Sequence, residues 1–98
     1  MDILEEQYKS TLLKIITARL PHCRIYLFGS RAKGTHQSGS DIDIALEVAL
    51  PIPADILLSI YNDIEDSLIP VSIDLVDLRT ASPELLQEIQ KNGVLWKS

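Results

Sequence analysis

Leu27-Phe28-Gly29-Ser30, ten further residues, then Asp41-Ile42-Asp43-Ile44 is the stretch on which the reading of this chain turns. From Asp41 to Val48 polar and apolar residues alternate strictly. Asp41, Asp43, Ala45 and Glu47 point one way, and Ile42, Ile44, Leu46 and Val48 the other. That period of two predicts a half-buried strand. Aspartate is depleted in strands, yet two stand here at positions i and i+2. Their carboxylates then share one face, roughly 6–7 Å apart along the strand. Two like charges so placed repel unless a cation lies between them, and hard divalent ions such as Mg²⁺ favour such oxygen ligands. The bland alternative is a solvent-facing strand edge.

Upstream, Arg24 to Phe28 is a short β-prone run ending at Gly29. A glycine at a strand end lets the backbone turn sharply and approach a ligand closely. A helix beginning at Ser30 would offer free N–H groups to an anion, with the Ser30 hydroxyl beside them. A Gly-Ser pair by itself is usually only a turn. Arg31 and Lys33 follow it, read either as cations for a triphosphate or as solvated loop charges. Thr35 to Ser40 reads as a loop, with His36 exposed within it.

Downstream, Pro51 and Pro53 break the chain, and Ala54 to Leu68 predicts an amphipathic helix. Val71 to Leu78 then predicts a further strand. Val71, Ile73 and Leu75 share its apolar parity. Ser72, Asp74 and Val76 share the other, which selects Asp74 over Asp77 for the face of Asp41 and Asp43. Asp77 is expected as a solvated strand end or a hydrogen-bonding cap. Ser82-Pro83 resembles an N-cap followed by proline at the first helical position. Gly93 closes that helix, and the apolar tail Val94-Leu95-Trp96 is expected to pack back on the body. At the other end, Ile3 to Leu20 shows helical spacing and stops at Pro21. Tyr8, Tyr61 and Trp96 read as core or partner contacts, and Asp63, Glu65 and Asp66 as a solvated helix face.

The order predicts an α+β fold: a small mixed sheet with helices packed on one face and the other face partly open. With 98 residues, the expectation is a single domain spanning 1–98. The core must be Leu, Ile, Val and Ala, because aromatics are only 5 % of the chain. A net charge of −5 argues against stable nucleic-acid binding, which runs on Lys and Arg, and suits metal cations or a basic partner. Cys23 is the only cysteine, so neither an internal disulfide nor a zinc spacing exists. Acidic residues between Met1 and Glu6 do not fit a signal peptide, and no apolar run approaches the ~20 residues of a membrane span. The expected location is a reducing cytoplasm.

Taken jointly, Gly29-Ser30, Asp41-x-Asp43 and an apolar-Asp74-apolar strand resemble the minimal nucleotidyltransferases of the DNA polymerase β superfamily. The resemblance spans Ile25 to Asp77, about half the chain. It implies a polymerase β-like palm. It further implies Asp41, Asp43 and Asp74 as the catalytic carboxylates and the ligands of two Mg²⁺ ions. Asp74 would also help activate the attacking hydroxyl, while Gly29 and Ser30, joined by Arg31, would hold the triphosphate of ATP. It also implies a partner. Small proteins of this type are commonly paired, as antitoxin, with a HEPN-domain toxin, and some transfer AMP to a tyrosine of it. A chain this short lacks the second domain with which larger transferases cover the open face, so a second copy or another protein is expected there. The alternative is an antitoxin that masks its HEPN partner stoichiometrically without catalysis. Transfer to a small molecule such as an aminoglycoside, or ATP sensing without turnover, are further readings.

Overall fold

A computed structural model describes residues 3–35 and 39–98 of the chain. His36, and the middle of the loop expected from Thr35 to Ser40, lie outside the described residues, as do Met1 and Asp2. The elements run α1 (Ile3–Arg19), β1 (Arg24–Phe28), α2 (Gly29–Lys33), β2 (Ile42–Glu47), α3 (Ala54–Asp66), β3 (Ile73–Asp77), a 3₁₀ turn (Leu78–Thr80), α4 (Pro83–Asn92) and β4 (Val94–Lys97). Asp41 falls one residue short of β2.

The strands form one mixed sheet in the order β3-β2-β1-β4. β1 pairs antiparallel with β2 and with β4, while β2 and β3 run parallel. A parallel pair needs a crossover longer than a hairpin turn, and α3 supplies it. The parallel register sets Ile42 beside Ile73, Asp43 beside Asp74 and Ile44 beside Leu75. The parity argument for Asp74 thus meets the observed pairing.

The apolar parity of the strands builds the main core. Ile25, Leu27, Ile42, Ile44, Leu46 and Leu75 meet Leu12 and Ile16 of α1 and Ile60 and Ile64 of α3. An exposed ion pair, Arg19 Nε to Asp63 Oδ2 at 2.8 Å, ties the two helices together. Asp63 is therefore paired rather than simply solvated. On the carboxylate face α4 makes a second, smaller core: Ile89 and Leu85 pack on Phe28, Ala45, Tyr26 and Val76. The expectation of helices on one face describes α1 and α3. α4 lies on the other because Ala45, assigned to the polar parity, is small and apolar and leaves a seat for Ile89.

Local chemistry sets the ends of the elements. Ser82 caps α4 by accepting from the Leu85 N–H at 3.2 Å, with Pro83 in the first turn. Asp77 acts as the expected cap: its Oδ1 accepts from the Arg79 N–H at 2.9 Å and its Oδ2 from the Ile52 N–H at 3.2 Å. The apolar tail does more than pack: it pairs with β1 as a strand and puts Trp96 into the main core. Replacing Leu12 by Ala should lower unfolding stability by about 2–5 kcal/mol, because the site is fully buried and cannot collapse freely. Chemical denaturation of the two proteins measures it.

Candidate active site

The site lies where β1 ends and β2 and β3 begin. β1 delivers Gly29 at φ +76°, a left-handed conformation that L side chains rarely take. That turn starts α2 and brings the Gly29 α-carbon against Asp43. A Cβ built at Gly29 would sit 3.0 Å from the Asp43 Cγ and drive into its Oδ2. Glycine is therefore needed twice, for the turn and for the carboxylate that occupies the place of its side chain.

The three aspartates differ in exposure. Asp41 and Asp74 are exposed, while Asp43 is half-buried between the turn and the sheet. The Asp43 carboxyl is pushed above the ordinary carboxylate value, first by burial and then by the negative charges of Asp74 and Asp41. The triad shares one face and one field. Among the described residues, however, no group of three or more His, Cys, Asp or Glu side chains is placed to hold a metal ion. The donor set fits a hard divalent cation, because it offers only carboxylate oxygens and already carries excess negative charge. Asp43 would be the fixed ligand and Asp41 and Asp74 the adjustable ones.

Ser30 is partly buried in α2, next to the turn. Arg31 is buried and points away from solvent: its Nε and Nη2 both donate to the Ser40 carbonyl, at 3.1 and 2.9 Å. These two donors hold the main chain at Ser40, the residue before Asp41. The sequence signal for Arg31 was its charge after a Gly-Ser turn, which does not reveal a carbonyl nine residues on. Lys33 forms an ion pair with Glu88 of α4 at 2.7 Å and fastens α2 to α4. No local pattern foretold that contact, because it depends on where α4 lands. Glu47 accepts from Arg24 and Tyr26, both at 3.3 Å, at the opposite end of the sheet from Asp43. Among the described residues no helix is long and apolar enough to cross a membrane.

Comparison with known proteins agrees with this geometry. The family described as "Polymerase beta, Nucleotidyltransferase" matches residues 12–98. The chain belongs to that nucleotidyltransferase family. It is 33 % identical over 95 residues to the protein adenylyltransferase MntA of Shewanella oneidensis, covering 95 % of this chain and 68 % of that protein. A crystal structure of a toxin–antitoxin with AMP-PNP superposes with a TM-score of 0.76 at 32 % identity, over 90 % of this chain and 71 % of that one. A structure of tri-AMPylated Shewanella oneidensis HEPN toxin in complex with MNT antitoxin gives 0.72 at 28 % identity, over 93 % and 70 %.

Two outcomes follow. Gly29→Ala should lose at least about 1–2 kcal/mol from the left-handed backbone alone, with a further loss as the methyl displaces the Asp43 carboxylate; denaturant titration reads both. A carboxyl whose folded-state pKa is raised binds its proton more tightly when folded, so stability falls as pH rises through that pKa. Metal-free Asp43→Asn protein should therefore melt above wild type near neutral pH, and the gap should close toward about pH 4. A gain of about 1 kcal/mol would register as roughly 4–8 °C in a chain of this size.

Proposed function

We propose that this chain transfers AMP from ATP to a hydroxyl, namely a tyrosine of a HEPN-type toxin, and so acts as its antitoxin. One observation carries the reading: the Asp43 carboxylate is seated on the Gly29 turn, with Asp74 paired to it across β2 and β3. A phosphate-holding turn and paired carboxylates are then adjacent, as phosphoryl transfer requires. The named relative is an adenylyltransferase, and the solved neighbours include a complex with AMP-PNP and an AMPylated toxin. Those facts support the same substrate and the same class of partner here.

In this proposal the backbone of Gly29 and Ser30 holds the triphosphate, and Arg31 shapes the loop beside it through Ser40. Asp41, Asp43 and Asp74 would hold two Mg²⁺ ions, which would supply charge neutralisation for the transfer. Asp74, the exposed carboxylate nearest the open edge, takes the proton of the acceptor hydroxyl on a carboxylate oxygen. The acceptor oxygen bonds to the α-phosphorus, the bond to the β-phosphate oxygen breaks, and pyrophosphate leaves. The partner brings the acceptor to the exposed end of the sheet. Dependence on ATP fits work in the cytoplasm.

With labelled ATP, Mg²⁺ and a HEPN-type toxin, label should appear on the toxin, and chelating the metal should abolish transfer. Asp43→Asn should cut the rate by about 10²-fold or more, in the range for losing a group that stabilises transition-state charge. No label on the toxin with wild-type protein would defeat the reading. The second reading, stoichiometric masking, is favoured by the fact that the toxin–antitoxin neighbours are themselves complexes. Substoichiometric protein with ATP separates the two, since only turnover then silences all of the toxin.

A further inference from the structure

β3 is the outer strand of the sheet, so only β2 holds it through a ladder. Its five residues carry Asp74. The Ser72 carbonyl accepts from the Ile42 N–H at 2.9 Å, which turns the main-chain groups of Ser72 and Asp74 toward β2. Successive residues of a strand present their N–H and C=O groups to opposite edges. Those of Leu75 consequently face outward, where no strand among the described residues pairs with them.

Tyr61 of α3 meets them there. Its hydroxyl accepts from the Leu75 N–H at 2.9 Å and donates to the Leu75 carbonyl at 3.5 Å. Its ring packs on the main core. Along the same edge runs a cleft of about 530 Å³, bordered by Tyr61, Leu68, Val71 and Ile73. One phenolic oxygen thus does for Leu75 what a neighbouring strand would do, and it is anchored in a helix that also carries Ile60 and Ile64 into the core.

We propose that Tyr61 is a positioning residue for nucleotidyl transfer: by pinning Leu75 it holds Asp74 level with Asp43. The proposal rests on the transferase reading above. Asp43 sits on an inner strand and against Gly29, so its place is fixed from several sides. Asp74 is exposed on an edge strand, and its place depends on the main chain of β3. Losing the hydroxyl lets β3 shift against β2, and displacement by about 1 Å can cost 10²-fold in rate. The group removed is the Tyr61 hydroxyl, which bonds the Leu75 main chain and not the Gly29 turn that would hold the triphosphate, so ATP binding is spared.

The test uses Tyr61→Phe, which keeps the ring and removes the oxygen. In the transfer assay with a HEPN-type toxin, kcat should fall roughly 10- to 100-fold, while KM for ATP stays within about twofold. On an Asp74→Asn background, Tyr61→Phe should change kcat no further, because the two substitutions remove one effect. Equal losses on both backgrounds, or a KM that rises as kcat falls, would mean a merely structural residue and overturn the proposal. Hydrogen exchange on the folded wild type gives a reading that needs no variant: the Leu75 amide should be protected, and exchange at the rate of an open edge overturns the assignment. Wild type that transfers nothing sinks the transferase reading and this one together. Wild type that transfers while Tyr61→Phe matches it sinks only the role of Tyr61.

Discussion

The Asp43 carboxylate occupies the space where any other residue at position 29 would put its side chain. That contact ties the three parts of the site together. The turn at Gly29 ends β1, Asp43 belongs to β2, and the parallel register brings Asp74 of β3 alongside. Fixing one carboxylate against a backbone turn sets both a distance and a charge. A phosphate held by the turn, as proposed above, would lie beside a negative group and would need a cation between them. Steric fit at Gly29 and electrostatic demand at Asp43 are two sides of one constraint.

The sheet divides its labour by face. The parity of Ile25, Leu27, Ile42, Ile44 and Leu46 goes to α1 and α3 and forms the larger core. The other parity is shared between α4 and the aspartates. Ile89 takes the middle of that face, over Phe28 and Ala45, and leaves the strand ends to charge. Crowding three aspartates there costs stability without metal, and the raised Asp43 pKa registers it. The aliphatic core on the opposite face offsets this cost. The Lys33–Glu88 pair binds α2 to α4, so the turn is braced from the same side that carries the charge.

How much of this was legible depended on the range of the interaction. The period of two from Asp41 to Val48 reports a local fact, which residues share a face, and the fold obeys it. The parity of Ile73 and Leu75 likewise picked Asp74 over Asp77, and Ser82-Pro83 marked the start of α4. What depends on distant contacts left no trace. Val94-Leu95-Trp96 is too short and too uniformly apolar to announce a strand, and Val94–Lys97 becomes one by pairing with the edge of β1. Ala45 was assigned by parity to a polar face, yet it is fully buried because α4 lies on it. The charge of Arg31 pointed to a triphosphate, while the Ser40 carbonyl takes two of its donors. The Tyr61 hydroxyl lies fourteen residues from Leu75, and no spacing rule connects a helix residue with the outward main chain of a later strand.

The placement of α4 also limits how an acceptor can arrive. Phe28 and Ala45 are covered, and Val76 lies under the same cluster, so the middle of the carboxylate face is closed. What stays open is the end of the sheet where Asp41 and Asp74 are exposed and Asp43 is half-buried. Among the described residues, three exposed or half-exposed carboxylates give a small molecule little apolar wall to grip. A hydroxyl carried on another protein needs no such wall, because the rest of that protein's surface supplies the binding energy and orients the oxygen. Three carboxylates on an exposed strand end, with little apolar surface among the described residues, suit an acceptor carried on a macromolecule.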